Sequence, residues 1–157
     1  SSQYNLGFYL TYLARWPALC LAAVAPGGAV AAYCLGKVEG DDRADPASRR
    51  AWHGHVSAVA VAPAYRRRGL ARRLMEALER ESDAGDCFFV DLFVRASNAA
   101  AIAMYGKMGY TVYRRVLGYY SGSEDALDMR KALAADAAGA SAVPRGKPVT
   151  PAELEWD

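Results

Sequence analysis

Between residues 55 and 82 an apolar strand runs into a turn crowded with arginine, and that turn opens straight into an amphipathic helix. Residues 55–61 alternate His55, Ser57, Val59 and Val61 with Val56, Ala58 and Ala60, as a strand covered on both faces does, and Pro63 ends the run. From Gly69 to Ser82, Leu70, Leu74, Ala77 and Leu78 recur at helical spacing. The link between the two is Arg66-Arg67-Arg68-Gly69-Leu70-Ala71. This order places the unpaired amides of a helix's first turn, and the positive end of its dipole, where an anion can sit on them. Gly69 and Ala71 leave room for a ligand near the backbone, and the arginines add charge suited to a pyrophosphate. Taken alone, five arginines within residues 66–73 describe a solvated helix face or a nucleic-acid patch equally well. The net charge of +2 is too small to imply a nucleic-acid partner by itself. Neither G-x-x-x-x-G-K-[ST] nor G-x-G-x-x-G surrounds Gly69, which argues against nucleoside triphosphates and dinucleotides.

The remaining segments arrange themselves around this unit. A chain of 157 residues with 53% hydrophobic composition suits one α/β domain. Phe8, Leu10, Tyr12 and Leu13 precede Trp16-Pro17 and predict a short helix that stops there. Apolar runs at 19–25 and 29–38 flank Pro26-Gly27-Gly28 and predict a hairpin. Residues 40–50, with Asp41, Asp42, Asp45 and Pro46, read as an exposed loop. A buried-type strand is expected at 87–94. Ser97-Asn98 supplies a capping pair, and Ile102, Tyr105 and Met108 mark one helix face. Strands at 110–117 and 126–133 enclose a loop that carries Tyr119 and Tyr120, and residues 134–157, rich in Ala, Gly and Pro, read as a tail.

Several other features limit the chemistry. Cys20, Cys34 and Cys87 are odd in number, far apart and set in apolar runs, so they read as core residues. No run approaches the roughly 20 apolar residues of a membrane span, and Ser1-Ser2-Gln3-Tyr4 has no signal-peptide character, so an intracellular, soluble protein without membrane contact is expected. His53 and His55 flank Gly54 without a third ligand at sensible spacing, so no metal is expected. Asp91, inside an apolar strand, reads as a hydrogen-bonded structural acid.

The R-x-x-G-x-A string from Arg66 to Ala71, after the strand at 55–61, resembles the acetyl-CoA signature of the GNAT acetyltransferase superfamily; Asn98 and Tyr105 match its second cofactor segment. Longer strings are similar to the catalytic subunits of NatB-type N-terminal acetyltransferases over residues 4–133. They include Trp52-His53-Gly54-His55-Val56, the run from Phe88 to Arg95, Tyr119-Tyr120-Ser121 and the run from Asp128 to Leu133. The resemblance implies an α/β fold, a central mixed and mostly antiparallel sheet flanked by helices. The family's first strand and helix are not found ahead of Tyr4, and Ser2 stands where an acidic residue is expected. The catalytic domain would then span residues 1–133.

The same resemblance implies the site. Val59, Val61, Arg66, Arg67, Arg68, Gly69, Leu70, Ala71, Asn98 and Tyr105 would contact acetyl-CoA. Tyr105 would protonate the departing thiolate, His55 would lie in the peptide site and help relay a proton, and Tyr4, Tyr119 and Tyr120 would enclose the peptide's N-terminus. The implied reaction acetylates the α-amine of nascent proteins beginning Met-Asp, Met-Glu, Met-Asn or Met-Gln. A large auxiliary subunit would bring the enzyme to ribosomes in the cytoplasm, with no direct nucleic-acid contact. Two other readings stay open at this point: acetylation of small amines or lysine side chains, and a non-catalytic module that binds acyl-CoA or docks at ribosomes.

Overall fold

The computed structural model describes residues 6–40 and 52–154. The described elements are α1 (Leu6–Arg15), β1 (Cys20–Val24), β2 (Val30–Glu39), β3 (His53–Val61), α2 (Leu70–Ala84), β4 (Phe89–Arg95), α3 (Ala99–Lys107), β5 (Thr111–Tyr120) and β6 (Glu124–Ala132). Short 3-10 turns lie at Pro17–Leu19, Pro63–Tyr65, Ala140–Ala142 and Pro151–Glu153. The expected loop at 40–50 falls, apart from Gly40, outside the described residues, as does Tyr4.

Among the described residues, six strands form one sheet in the order β1-β2-β3-β4-β6-β5. The β3–β4 pair is parallel and the other neighbours are antiparallel, so the sheet is mixed and mostly antiparallel as expected. The parallel pair follows from the α2 crossover, because a helix between two strands returns the chain to the same end of the sheet. Pro26-Gly27-Gly28 makes the β1–β2 turn, with Gly27 and Gly28 at φ 98° and 95°.

Side-chain alternation assigns the two faces of the sheet. A Cβ at Gly54 would meet Ser82 of α2, and one at Gly36 would meet Leu78, so α2 covers the face of Gly54 and Val56. Leu74, Met75 and Leu78 of α2 pack there with Val56, Val90, Leu92, Val94 and Met129 as the main core. α3 lies beside α2, where Arg72 donates to the Lys107 carbonyl. The opposite face carries His53, His55 and Ser57, and α1 reaches it through the Tyr12 hydroxyl, 2.6 Å from Ser57 Oγ.

Two expectations change. The last hairpin is tighter than the sequence suggests: β5 continues through Tyr120, and only residues 121–123 form the turn, so Tyr119 and Tyr120 lie on a strand and not a loop. Gly118 at φ 59° takes up a register shift, and the Asp125 carboxylate accepts from its amide at 2.8 Å and from Arg115 Nε at 2.6 Å, holding the two strands together. The segment after Leu133, expected as a tail, is laid along β5. Leu117 donates to Val149, Val149 to Arg115, and Arg145 to Tyr113, while Arg130 reaches the Ser141 carbonyl. None of its described residues is buried, so composition did keep it out of the core. Its main chain nevertheless satisfies the otherwise open edge of β5.

Candidate active site

The site begins where the sheet divides. The parallel ladder joins His53 to Phe89, Gly54 to Val90, His55 to Asp91 and Val56 to Leu92. Beyond Val56, β3 stays with β2 as far as Val61, while β4 stays with β6 as far as Arg95. The two strands therefore separate and leave a cleft between the halves of the sheet. A bulge marks the point of departure: Leu35 pairs with Ala58 and Gly36 with Val56, so Ser57 is the extra residue.

The backbone lining this cleft can be oriented from the ladder. Ala62 donates to the Ala31 carbonyl, which makes Val61 and Ala32 a pair whose own amides face away from each other. The amides of Val61 and, two residues earlier, Val59 thus point from β2 toward the cleft. The Val61 carbonyl shares that direction and accepts from Arg66 Nε at 3.2 Å. An N–H group held this way by a ladder is aimed before any ligand arrives.

At the end of β3 the chain makes the expected basic turn. Arg67 and Gly69 both take left-handed conformations, φ 64° and 73°, and Gly69 caps α2. Alternating the hand of successive residues curls the main chain so that neighbouring amides converge, which makes a concavity for an anion. The first helical bond from this cap runs from Arg73 to the Gly69 carbonyl, so the amides before Arg73 belong to the unpaired first turn. Open space surrounds the position of a Cβ at Gly69, and residues 66–69 are exposed. Arg68 stacks over Tyr65, its guanidinium 5.3 Å from the ring centre.

α3 supplies the third part. Asn98 is its N-cap, with Oδ1 accepting from the Ala101 amide at 3.1 Å, as the capping pattern predicts. Tyr105 is half-buried against the core and meets Tyr110 edge-on at 6.1 Å. Burial, and after it the neighbouring Tyr120, push the Tyr105 phenol above its ordinary pKa, so it keeps its proton at neutral pH.

The opposite face holds a bowl of aromatic rings around His55. Its imidazole lies 5.5 Å from Phe93, Phe93 lies 4.9 Å from Tyr119, and Tyr119 meets Tyr120 edge-on at 5.1 Å. Arg95 stacks over Tyr120 at 4.2 Å and binds Glu124 at 3.0 Å. Asp91 Oδ1 is 2.7 Å from His55 Nδ1. Burial pulls the His55 pKa down, but the Asp91 carboxylate outweighs it and leaves the imidazole above its ordinary value. The expected structural acid is thus hydrogen-bonded, and to a candidate site residue.

The structure accordingly gathers the sequence candidates into two groups. Val59, Val61, residues 66–71, Asn98 and Tyr105 belong to the cleft and its α2–α3 side, whereas His55 and Tyr119 lie on the α1 face, with Tyr120 reaching toward Tyr105. Phe93, Arg95 and the bonding of Asp91 to His55 were missed. The period-2 alternation of residues 89–95 would have placed Phe93 and Asp91 on one face, but nothing in the letters says that this face meets His55. Among the described residues no group of three or more His, Cys, Asp or Glu side chains is arranged to hold a metal ion.

A sheet opened between two parallel strands, with a basic left-handed turn and a helix N-terminus beside the opening, is the architecture of an acyl-coenzyme A-dependent transferase. Residues 2–110 match the Acetyltransferase (GNAT) family, and the chain belongs to it. Within that family it groups with the NatB catalytic subunits. It is 56% identical over 158 residues to the N-terminal acetyltransferase B complex catalytic subunit NAA20 of Arabidopsis thaliana, covering 100% of this chain and 87% of that one. It is 52% identical to N-alpha-acetyltransferase 20 of Dictyostelium discoideum, covering 99% and 86%. Among solved structures, Chaetomium thermophilum Naa20 in complex with a bisubstrate analogue superposes with a TM-score of 0.87 at 42% identity, covering 97% of this chain and 86% of that one.

Proposed function

We propose that this chain is the catalytic subunit of a NatB-type N-terminal acetyltransferase, moving acetyl from acetyl-CoA to the α-amine of proteins that begin Met-Asp, Met-Glu, Met-Asn or Met-Gln. The observation that carries the reading is the divided sheet, with the amides of Val59 and Val61 aimed into the gap beside a left-handed turn and a helix N-terminus. Acetyl-CoA supplies an activated acyl group on a good leaving thiolate. The amides of residues 67–71 and the arginines of the turn hold its phosphates. The Val59 and Val61 amides stabilise the charge that builds on a carbonyl oxygen as an amine attacks. Asn98 caps α3 and faces the cofactor from its N-terminus. Tyr105, still protonated, donates as sulfur departs.

An α-amine has a pKa of roughly 7.7 to 8.0, so a weak base or a water relay is enough to deliver it neutral. His55, on the face away from α2, receives the peptide's second residue and can take part in that relay. Tyr119, Tyr120 and Phe93 wall the peptide's first residue. Leu6, Leu10 and Leu13 leave an apolar stripe exposed on α1, the kind of surface a large auxiliary subunit covers. With that subunit the enzyme works on nascent chains at cytoplasmic ribosomes.

A peptide-library acetylation assay on the purified chain, with and without the auxiliary subunit, tests this. Acetylation concentrated on Met-Asp, Met-Glu, Met-Asn and Met-Gln N-termini is expected. Modification of free polyamines or lysine side chains in preference to these N-termini, or acetyl-CoA binding with no acetylation of any peptide, overturns it.

A further inference from the structure

Asp91 is built into its position from three sides. The carboxylate oxygen that meets His55 Nδ1 at 2.7 Å is also 3.6 Å from Nε2 of His53, whose ring lies flat on Phe89 at 4.5 Å. His53 Nε2 is 3.3 Å from Glu39, and Glu39 is held by Lys37 at 2.5 Å. Across the β4–β6 ladder, Asp91 pairs with Arg130. Burial opposes ionisation of Asp91, whose side chain is only 5% exposed, but His55, His53 and Arg130 hold it ionised, well below the usual carboxylate range.

An ionised carboxylate only accepts hydrogen bonds, so the proton in the 2.7 Å contact belongs to His55 Nδ1. Nε2 is then the ring nitrogen left for the aromatic bowl, and the Phe93 ring limits how the imidazole can turn. With both nitrogens protonated, Nε2–H donates well to a carboxylate and adequately to an amide oxygen. With Nε2 bare, its lone pair repels a carboxylate, whereas an amide can rotate its NH2 group to donate.

We propose that Asp91 is a positioning residue that turns His55 Nε2 toward the peptide's second residue, so that the enzyme prefers an acidic side chain there over the corresponding amide as long as His55 carries its positive charge. This rests on the N-terminal acetyltransferase reading above. The groups that set the charge on His55 are Asp91 from β4, Glu39 and Lys37 from β2, and His53 of its own strand and Arg130 of β6 acting through Asp91; α1 contributes the Tyr12 hydroxyl at Ser57. Two carboxylates against one lysine favour the imidazolium.

The test compares kcat/KM for two peptides that differ only as Met-Asp and Met-Asn, using the complex with its auxiliary subunit between about pH 6 and 9. Ionisation of the shared α-amine cancels in the ratio, and the peptide's aspartate stays charged throughout. The Met-Asp to Met-Asn ratio is expected to fall roughly fivefold as pH rises, the difference between a charged and a neutral hydrogen bond. Its midpoint should lie above the ordinary histidine value. In Asp91→Asn the midpoint should move down and the ratio near pH 7 should collapse toward one, with Asp91→Glu restoring part of it. An identical ratio profile in Asp91→Asn overturns the proposal. Should that variant fail to fold, nitrogen NMR of the wild-type imidazole decides: a neutral His55 protonated on Nε2, or a midpoint below the ordinary histidine value, overturns it equally. If the wild-type complex acetylates no peptide N-terminus at any pH, the acetyltransferase reading fails, and this inference with it.

Discussion

The two sides of the divided sheet are made of different material. On the α2–α3 side the candidate contacts are mostly main chain: the amides of Val59 and Val61, the left-handed Arg67 and Gly69, and the first turn of α2. On the α1 side they are side chains drawn from separate elements, with His55 from β3, Asp91 and Phe93 from β4, and Tyr119 from β5. A phosphate is the same in every turnover and can be met by backbone geometry. A peptide varies, and discriminating among its side chains requires side chains in return. The first side should therefore respond to changes in conformation, and the second to changes in chemistry.

The largest effect should come where the two sides meet. Tyr105→Phe keeps the ring and its packing against Tyr110, and should lower kcat by roughly 100-fold while leaving acetyl-CoA affinity almost unchanged. Steady-state kinetics paired with calorimetry check it, and unchanged turnover removes Tyr105 from the mechanism. Next, Gly69→Val forces a β-branched residue into φ 73°, where a side chain also points into the space proposed for phosphate. The strain alone is about 1–3 kcal/mol, so acetyl-CoA binding should weaken at least about fivefold, in calorimetry, without a matching loss of peptide affinity. A normal isotherm would break the comparison on its conformational side.

A several-fold rise in peptide KM is expected for Phe93→Ala, which removes the ring shared by His55 and Tyr119, with the acetyl-CoA dissociation constant held. If both ligands weaken together, the two sides are not separable in the way described. The smallest effect concerns stability. His55 is raised above its unfolded value by Asp91, so the pair's contribution is fully present below the ordinary histidine pKa and is lost as pH rises through the higher folded value. The melting temperature of the wild type should fall across that window relative to His55→Gln, and parallel curves would show that the contact adds nothing.

How much of this was legible in the letters follows the same division. Most elements were readable with boundaries shifted by a few residues, because each carries its own period and stop signals: Pro17 after α1, Gly27 and Gly28 in the first hairpin, Asn98 at the start of α3. The basic turn was readable as a strand-to-helix turn because its strand, its glycine and its helix are contiguous. Tyr119 and Tyr120 were misplaced onto a loop, since the Asp125 bridges that tighten the hairpin join residues seven and ten apart across strands. The described residues after Leu133 stay out of the core, and their docking depends on an edge of β5 that exists only in the assembled sheet. Asp91 was read as a buried acid with a partner, and no local pattern names a partner 36 residues away.

By itself, then, the sequence determined the order of strand, turn and helix, the left-handed glycine that lets the turn close, and the placement of dipole and arginines at one end of the central strand. These are consequences of neighbours along the chain. Tertiary structure alone decided that β3 and β4 part after Val56, that His55 faces Asp91 across the last rungs of their ladder, and that rings from β4 and β5 gather beside it. The core that holds β3 and β4 together up to that point joins α2 to both strands, and such packing is a property of residues distant in sequence.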